Sequence, residues 1–227
     1  MPAIILSSIL IALIAYLWGS IPSGYWLGKI LRGKDFDIRN HGSRKIGATN
    51  VLRTLGKGPA AIVFLVDISK GVGPALVALL VPALNAGGWG PSIAGILALL
   101  GHCYPVFIGF KGGRGVSTGA GALLIISPII FLISLIVTAI TIATSRFVSL
   151  GSILGSACML LCGVLFFVLT LANPAFPIHI GIQQLLFLII APTLVILFHI
   201  DNIKRLLSGT ERKIGQRVDT STTTPAP

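Results

Sequence analysis

The sequence predicts an all-α polytopic membrane protein with seven transmembrane or half-membrane helices, the N-terminus outside the cell and the C-terminus in the cytoplasm. The chain of 227 residues is 54% hydrophobic and only 10% charged, a composition typical of membrane proteins. Apolar runs of about 18 residues or more recur along it, and such runs can cross a bilayer as helices. Most Lys and Arg residues fall in a few connecting segments, as expected of cytoplasmic loops.

The six apolar runs differ in regularity. The first is interrupted by Trp18, Pro22 and Gly24, so its inner end is predicted to be broken or closely packed against protein. The second carries Asp67 and Lys70, which lie three residues apart and can therefore pair on one face of a helix. The runs cover approximately residues 3–31, 59–84, 91–110, 119–144, 147–171 and 178–198.

The distribution of cations between the runs predicts the topology. Residues 85–90 and 172–177 contain no Lys or Arg, so these connections are expected outside. The fourth run must then turn back near Ser127-Pro128, because otherwise the later basic segments would also lie outside. Its ~26 residues give ~39 Å of helix, too little for two perpendicular spans, so two short spans and a re-entrant hairpin are both open. The segments expected in the cytoplasm are residues 32–57, 111–114, 146 and 204–217.

Residues 1–213 are predicted to form a single integral-membrane domain. Residues 214–227, of which 219–227 are rich in Thr and Pro, are predicted to form a disordered cytoplasmic tail. Cys103, Cys158 and Cys162 lie in apolar context and are interpreted as packing residues. The sequence contains no zinc-type cluster of ligands, so neither a metal nor a cofactor is expected.

A glycine-rich loop with two cations, Phe110–Gly119, lies between the third and fourth runs. Glycines let backbone N–H groups approach an anion closely, and the small residues after them can begin a helix whose N-terminus attracts negative charge. The loop is therefore predicted to bind phosphate, and a positively charged membrane anchor is the alternative. The predicted phosphate contacts are Lys111, Gly112, Gly113, Arg114 and Gly115.

A second loop of similar chemistry, Asp37–Gly56, follows the first run. If a helix begins near Thr49, then Asn50 and Arg53 lie on one face, and the guanidinium suits bidentate contact with phosphate. The alternative is an ordinary helix cap followed by an interfacial Arg53. The residues predicted to contribute to the site are Ser43, Gly47, Thr49, Asn50 and Arg53.

A third polar cluster follows the last run. His199, Asn202 and Arg205 are spaced i, i+3 and i+6, so they share a helix face, and we expect it to point toward the two loops. The alternative is a structural histidine with a surface Glu211. At the start of the fifth run, the Ser152 hydroxyl either contacts substrate or bonds a backbone carbonyl.

Few side chains in this sequence suit covalent catalysis. Only six Asp and Glu residues occur in the chain, and no Ser-His-Asp order is evident. A site with two anion-binding loops and so few acids is poorly equipped to activate a nucleophile strongly. It suits a substrate that already carries a good leaving group.

Most of these polar residues fall in five segments: GSIPSGYWLGK, DIRNHGSRKIGATNVLRTLGK, GHCYPVFIGFKGGRGVSTG, SRFVSLGS and HIDNIKRLLSGTE. In this order and spacing they resemble the PlsY family of bacterial membrane acyltransferases, from Gly19 to about Lys213. The resemblance implies a seven-helix enzyme that transfers a fatty acyl group from acyl-phosphate to the 1-hydroxyl of sn-glycerol 3-phosphate. The products would be lysophosphatidate (1-acylglycerol 3-phosphate) and phosphate, in phospholipid biosynthesis.

The resemblance also implies partners, a location and site residues. Acyl-phosphate would come from the bilayer or from a peripheral acyl-phosphate synthase such as PlsX, and glycerol 3-phosphate from the cytosol. The enzyme would be a multi-pass protein of the bacterial inner (cell) membrane, surrounded by lipid, with its active site at the cytoplasmic face. Either His199 or a substrate phosphate oxygen would take the proton. The implied site residues are Ser43, Asn50, Arg53, Lys111, Arg114, Ser152, His199 and Asn202, of which Ser43, Arg53, His199 and Asn202 are assigned to catalysis.

The chain departs from the family pattern at three places. The family usually reads GSGN where this chain has Gly42-Ser43-Arg44-Lys45, which adds two cations beside the phosphate loop. The second cation of the glycine-rich loop is usually Lys, and Arg114 can change a point-charge contact into a bidentate one. The acidic residue that usually follows His-Xaa is moved or replaced by Asp201.

Two other classes of function are open at this point. A transporter of an anionic organophosphate would also use glycines and broken helices, but its site should lie near the midplane of the membrane. A structural lipid-binding protein would not need three polar motifs. The net charge of +11 lies in a few loops, which suits phosphorylated substrates or lipid headgroups rather than nucleic acid.

Overall fold

The computed structural model describes residues 1–173 and 175–216, and all regular structure in these residues is helical. This confirms the predicted all-α class. Short 3₁₀ turns lie between several of the helices. The α-helices are α1 (Pro2–Gly19), α2 (Ser23–Arg32), α3 (Ala48–Thr54), α4 (Lys57–Leu80), α5 (Gly90–Cys103), α6 (Val116–Ile126), α7 (Pro128–Ser145), α8 (Val148–Ala172), α9 (Ile182–Leu197) and α10 (Ile200–Leu207).

Five described segments are long and apolar enough to cross a membrane. The first combines α1 and α2, which are separated by the predicted break before Ser23. Helices α9 and α10 are bent by 55° and add a sixth span if they count as one. The apolar helix α6 is shorter. The five segments are Pro2–Arg32, Lys57–Leu80, Gly90–Ile108, Pro128–Ser145 and Val148–Ala172.

The fourth apolar run is broken where the sequence predicts, because α6 ends at Ile126 and α7 begins at Pro128. A proline at the first position of a helix is favourable, since its missing N–H is not needed there. The two halves are unequal. With 11 residues, α6 is about 16 Å long and reaches halfway through a membrane, whereas the 18 residues of α7 can cross it, so α7 is longer than predicted.

The connections that lack cations meet at one end of the bundle. The Ser7 hydroxyl of α1 donates to the Ala83 carbonyl at 2.7 Å, and the Gln184 amide of α9 donates to the Ile126 carbonyl at 3.1 Å. Gly88 lies beside the side chain of Gln183, also in α9. The N-terminus, the 81–89 connection, the α6–α7 turn and the start of α9 therefore lie together.

The basic connections meet at the opposite end, here termed the basic end. The Arg39 guanidinium donates to the Ile108 carbonyl at 2.8 Å, and that of Arg53 donates to the Arg212 carbonyl at 3.3 Å. The grouping of basic loops agrees with the topology predicted from charge. Which end faces the cytoplasm stays a prediction.

Close helix packing fixes where α6 begins. A Cβ at Gly71 of α4 would collide with the Thr118 carbonyl, and one at Gly121 of α6 with the Ile68 carbonyl. The Thr118 hydroxyl also donates to the Asp67 carbonyl at 2.9 Å. Small residues allow two membrane helices to approach this closely, so the N-terminal turn of α6 is held at a set depth against α4.

Residue 214, the first of the predicted C-terminal tail, contacts another part of the chain. The Ile214 N–H donates to the Arg146 carbonyl at 2.8 Å, so this residue is tied to the α7–α8 connection. The rest of the predicted tail, residues 217–227, lies outside the described residues.

Candidate active site

A cavity of about 430 Å³ lies among α4, α6, α7, α8 and α9 and extends to the loops at the basic end. We term it the main cavity. Polar side chains line the part near the loops, and apolar side chains line the part between the membrane helices. All predicted site residues line it except Lys111, Gly112 and Gly113. Its polar part is lined by Ser43, Lys45, Gly47, Thr49, Asn50, Arg53, Arg114, Gly115, Ser117, Ser149, Ser152, His199, Asn202 and Glu211.

The apolar part of the main cavity depends on close contact between α7 and α8. A Cβ at Gly151 or Gly155 of α8 would meet side-chain atoms of Ile142 or Thr138 on α7. This packing leaves a continuous apolar wall, which suits an alkyl chain because burying it removes apolar surface from water. The wall includes Phe64, Ile68, Leu123, Phe131, Leu135, Met159 and Pro192.

The amide of Asn50 organises the loop that precedes α3. Its oxygen accepts a 2.8 Å hydrogen bond from the Ser43 N–H, and its nitrogen donates to the carbonyls of Ile38, His41 and Lys45 at 3.3, 3.1 and 2.8 Å. The side chain is almost fully buried. Asn50 thus lies where the sequence predicts, but its amide is occupied by the protein backbone and shapes the loop instead of facing an anion.

The other residues of this loop reach the main cavity more directly. Helix α3 begins at Ala48, as predicted, with Gly47 as its cap and Thr49 in its first turn. A Cβ at Gly47 would meet no atom within 4 Å, so the protein itself does not require a glycine there. A bare backbone beside a cavity permits close approach of a ligand. Ser43, held through its N–H, also lines the cavity.

Arg53 is a buried cation at the polar part of the main cavity. Its guanidinium donates to the Arg212 carbonyl, and only 9% of the residue is exposed. Burial lowers the pKa of Arg53 below its ordinary value, while nearby Glu211 raises it and Arg212 and Arg205 lower it further. An arginine stays protonated at neutral pH in spite of such a shift, so this site holds a desolvated positive charge that an anion can neutralise.

The glycines of the 110–119 loop have a different role from the one predicted. The Gly112 N–H donates to the Cys103 carbonyl at 3.1 Å, and the Gly113 N–H donates to the His102 carbonyl at 3.0 Å. A Cβ at Gly113 would collide with the His102 ring. These N–H groups are therefore not available to an anion, and the glycines allow the loop to pack against the end of α5.

The N-terminus of α6 supplies the anion-binding geometry instead. Gly115 precedes the helix with φ 79°, a left-handed conformation that favours glycine. The first N–H groups of an α-helix have no partner within the helix and attract negative charge. Gly115, Val116 and Ser117 line the main cavity, so this helix end faces the same space as Arg53.

Arg114 adds a second cation beside that helix end. Its Nε is buried and contacts no acceptor among the described residues. Burial, followed by repulsion from Arg205, lowers the pKa of Arg114 to about 10, so it remains charged at neutral pH. A buried N–H without an acceptor is unfavourable, and a phosphate oxygen in the main cavity would supply one.

Lys111, by contrast, faces away from the main cavity. It is exposed and lines a second cavity of about 580 Å³ together with Gly112 and Gly113. The two cations of the glycine-rich loop, Lys111 and Arg114, therefore line different cavities although they are only three residues apart. Lys111 does not line the main cavity, and its predicted contact with a substrate phosphate stays a prediction.

His199 lies between α9 and α10 with its ring buried against the main cavity. Its Nδ1 is 2.7 Å from the Val195 carbonyl oxygen. Because a carbonyl oxygen only accepts, Nδ1 carries the hydrogen, and Nε2 of the neutral ring is left as an acceptor. His199 can therefore accept a hydrogen bond, or a proton, from a hydroxyl in the main cavity.

Asn202 is anchored by Glu211, whose burial the sequence does not reveal. Glu211 accepts hydrogen bonds from Asn202 at 2.8 Å, Ser149 at 2.9 Å and Arg205 at 2.7 Å, and its side chain is 4% exposed. The surface interpretation of Glu211 is thus wrong. Burial raises the pKa of Glu211, but hydrogen bonds from Arg205, Asn202 and Ser149 outweigh burial and hold the pKa below its ordinary value.

This anchoring leaves one polar atom of Asn202 free. Its Oδ1 is buried and contacts no donor among the described residues, so it can accept a hydrogen bond from a ligand. Ser152 is placed differently, because its hydroxyl donates to the Val148 carbonyl at 2.9 Å. The backbone alternative is correct for Ser152, although its oxygen can still accept.

A buried polar network supports the main cavity from α4. Asp67 and Lys70 form the predicted pair at 2.6 Å, and the Ser23 hydroxyl donates to Asp67 at 2.7 Å. His102 Nδ1 lies 3.6 Å from Asp67. Asp67 and His102 both line the main cavity. Asp67 of the predicted pair therefore reaches the main cavity while Lys70 pairs with it from behind, an arrangement that the spacing alone does not indicate.

These groups together suit one type of chemistry. Arg53, Arg114 and a helix N-terminus can hold phosphate groups, and acceptors at His199 Nε2 and Asn202 Oδ1 can orient a hydroxyl. The apolar wall extends from the same space. The site can therefore bring a phosphorylated alcohol and a long-chain acyl compound together in one cavity.

Comparison with known proteins agrees with this chemistry. A family model described as glycerol-3-phosphate acyltransferase matches residues 9–209. The glycerol-3-phosphate acyltransferase of Thermoanaerobacter pseudethanolicus is 42% identical over 212 residues, which cover 93% of this chain and 98% of the relative. That of Synechococcus elongatus is 41% identical over 222 residues, covering 96% and 99%.

Two crystal structures of PlsY (YgiH), an integral membrane glycerol 3-phosphate acyltransferase, have a similar fold. The glycerol 3-phosphate form superposes with a TM-score of 0.78 at 37% identity, over 92% of this chain and 96% of the other. The lysophosphatidic acid form gives a TM-score of 0.75 at 35% identity over the same shares.

Proposed function

The chain belongs to the glycerol-3-phosphate acyltransferase (PlsY) family of integral membrane proteins, and from this premise we propose the donor, the reaction and the location of its activity. The enzyme transfers a fatty acyl group from acyl-phosphate to the 1-hydroxyl of sn-glycerol 3-phosphate. The products are lysophosphatidate and inorganic phosphate. The single observation that supports this most strongly is the main cavity, in which a cationic polar part continues into an apolar wall.

The reaction needs little beyond positioning and charge stabilisation. The hydroxyl oxygen attacks the acyl carbonyl carbon, the bond from that carbon to the phosphate oxygen breaks, and phosphate leaves with the electron pair. Arg53, Arg114 and the N-terminus of α6 stabilise the negative charge. The hydroxyl proton passes to His199 Nε2 or to a substrate phosphate oxygen.

The donor is proposed from the same chemistry. Acyl-phosphate is a mixed anhydride with a good leaving group, so transfer proceeds without a covalent acyl-enzyme intermediate. Its alkyl chain lies along the apolar wall of α7 and α8 and enters from the bilayer or from a peripheral acyl-phosphate synthase such as PlsX. Glycerol 3-phosphate arrives from the aqueous side, where the basic loops lie.

The orientation follows from charge. We propose that the basic end faces the cytoplasm of a bacterial cell and that the N-terminus lies outside the inner membrane. Single cysteines at the exposed positions Ser208 and Ala83, in a variant that lacks the native cysteines, test this in intact cells with a membrane-impermeant reagent. Labelling is expected at position 83 only, and labelling at position 208 would contradict the proposed topology.

The donor experiment tests the proposed reaction. Purified protein is supplied with glycerol 3-phosphate and with either acyl-phosphate or acyl-CoA of the same chain length, and lysophosphatidate is measured. We expect product from acyl-phosphate and little or none from acyl-CoA. A reaction without protein is the control for enzyme-independent transfer. Comparable rates from both donors would contradict the mechanism.

A further inference from the structure

The second cavity lies beside the main cavity at the basic end and has a volume of about 580 Å³. It is formed where the loop before α3 meets the loop between α5 and α6, and the chain between α9 and α10 closes one side. Lys45 lines both cavities. Its lining consists of Asp37, Arg39, Asn40, Arg44, Lys45, Cys103, Tyr104, Ile108, Gly109, Phe110, Lys111, Gly112, Gly113 and Phe198.

Three of the cations around the second cavity are not balanced by acids. Asp37, the acid in its lining, is paired with Arg39 through contacts of 2.7 to 3.1 Å. Arg44, Lys45 and Lys111 form no ion pair with any described residue. Paired Asp37 and Arg39 cancel, so the cavity carries a net charge of +3, which favours an anionic ligand.

The rim of the second cavity is apolar and exposed. Tyr104 and Phe110 line it and are 47% and 55% exposed, and both follow α5 near the end of a candidate membrane span. Tyr104 lies edge-on to Phe198 at 5.6 Å between ring centroids. Exposed aromatic rings at the end of a span are typical of the membrane interface, where lipid headgroups lie.

We propose that the second cavity binds the phosphate headgroup of an anionic phospholipid, separately from the substrates in the main cavity. Arg44, Lys45 and Lys111 contact the phosphate, and the aromatic rim contacts the glycerol and upper acyl region. A basic pocket at a membrane interface recognises such headgroups. Because Lys45 lines both cavities, the phosphate of a bound lipid also neutralises part of the positive charge at the main cavity.

Free glycerol 3-phosphate carries a phosphate group as a phospholipid does, but the aromatic rim of the second cavity favours a lipid. A soluble phosphate ester has no apolar part to cover exposed aromatic rings, whereas a phospholipid buries them. The experiment therefore includes both ligands, and its readout is binding, which does not depend on the proposed reaction.

Arg44 offers the sharpest variant because it lines only the second cavity. Its φ is 58°, a conformation that asparagine tolerates better than most residues. Arg44→Asn therefore removes the charge and is expected to keep the turn, and Arg44→Lys keeps the charge. The control is Lys57→Asn, which removes an exposed cation from outside both cavities.

Purified protein in phosphatidylcholine nanodiscs is titrated with spin-labelled phosphatidylglycerol, and bound lipid is measured. We expect Arg44→Asn to bind it about fivefold more weakly than wild type, with Arg44→Lys and Lys57→Asn close to wild type. Equal binding by Arg44→Asn and Lys57→Asn would overturn the proposal. Displacement of the bound lipid by millimolar glycerol 3-phosphate would overturn the assignment to a lipid.

Discussion

The ammonium group of Lys70 donates a 2.6 Å hydrogen bond to the carboxylate of Asp67, and neither side chain is more than 1% exposed. The Ser23 hydroxyl bridges the two residues. A buried charge is tolerated only when it is paired and hydrogen-bonded. This pair therefore ties α2 to α4 at the wall of the main cavity, which Asp67 lines.

Breaking the buried pair should destabilise the protein strongly. Asp67→Asn leaves Lys70 buried without a counter-charge, which should cost about 3–5 kcal/mol of unfolding free energy. The double variant Asp67→Asn/Lys70→Met removes both charges and should recover part of the loss. Thermal unfolding in detergent measures both, and an Asp67→Asn protein as stable as wild type would contradict the role assigned to the pair.

Loss of either cavity arginine should reduce activity without preventing folding. Removing a charge-assisted phosphate contact in a desolvated site should cost about 2–4 kcal/mol of transition-state stabilisation. Arg53→Ala and Arg114→Ala are compared with wild type by kcat/KM, and Arg114→Lys should retain much of the activity. Unchanged kinetics in Arg53→Ala would leave that residue as a membrane anchor.

Substitution of His199 separates a positioning role from a proton-accepting one. His199→Ala should lower kcat by roughly 10²–10⁴ if the ring acts as a base. Glutamine keeps a hydrogen-bonding group but is not basic near neutral pH. Because an activated donor needs little basicity, we expect His199→Gln to recover substantial activity over His199→Ala. Two variants with equally low kcat would assign the proton to His199.

Substitution of Asn202 should weaken the binding of glycerol 3-phosphate more than that of acyl-phosphate. Its Oδ1 has no donor among the described residues, and an amide oxygen suits a hydroxyl of glycerol 3-phosphate. Asn202→Ala should therefore raise the KM for glycerol 3-phosphate several-fold, with a smaller change in the KM for acyl-phosphate. Equal changes in the two KM values would contradict this role and indicate that the substitution disrupts the cavity as a whole. Asn202→Asp, which keeps an oxygen at this position, is the comparison variant.

Glu211 should make stability depend on pH in the acidic range. The pKa of its carboxylate is lower in the folded protein than its ordinary value of 4.5, so the ionised form stabilises the fold. That contribution is complete above about pH 4.5 and is lost as the pH falls through the lower folded-state pKa. Tm should therefore fall less on acidification in Glu211→Gln than in wild type, and parallel curves would contradict this assignment.

Features that depend on local spacing could be predicted from the sequence. The break at Ser127-Pro128, the start of α3 near Thr49 and the Asp67–Lys70 pair each follow from residues a few positions apart. Helix periodicity and the properties of proline determine such features. Grouping of the basic loops at one end followed from their charge in the same way.

Features that depend on loop paths or distant contacts could not be predicted. Asn50 meets three backbone carbonyls because the chain turns through left-handed conformations at Gly42 and Arg44, and no motif specifies that path. Glu211 accepts a hydrogen bond from Ser149, which is 62 positions away. The separation of Lys111 from Arg114 likewise depends on a non-helical loop.

The contacts of Glu211 also bear on the order in which the polar part of the main cavity is completed during synthesis of the chain. His199, Asn202 and Glu211 follow every other part of the polar cavity in chain order, and a chain leaves the ribosome N-terminus first. The earlier helices can already be in the membrane while His199, Asn202 and Glu211, which anchors Asn202, are still untranslated. A prematurely terminated chain that lacks these residues is therefore expected to be inactive, because it lacks the acceptors proposed to orient a hydroxyl.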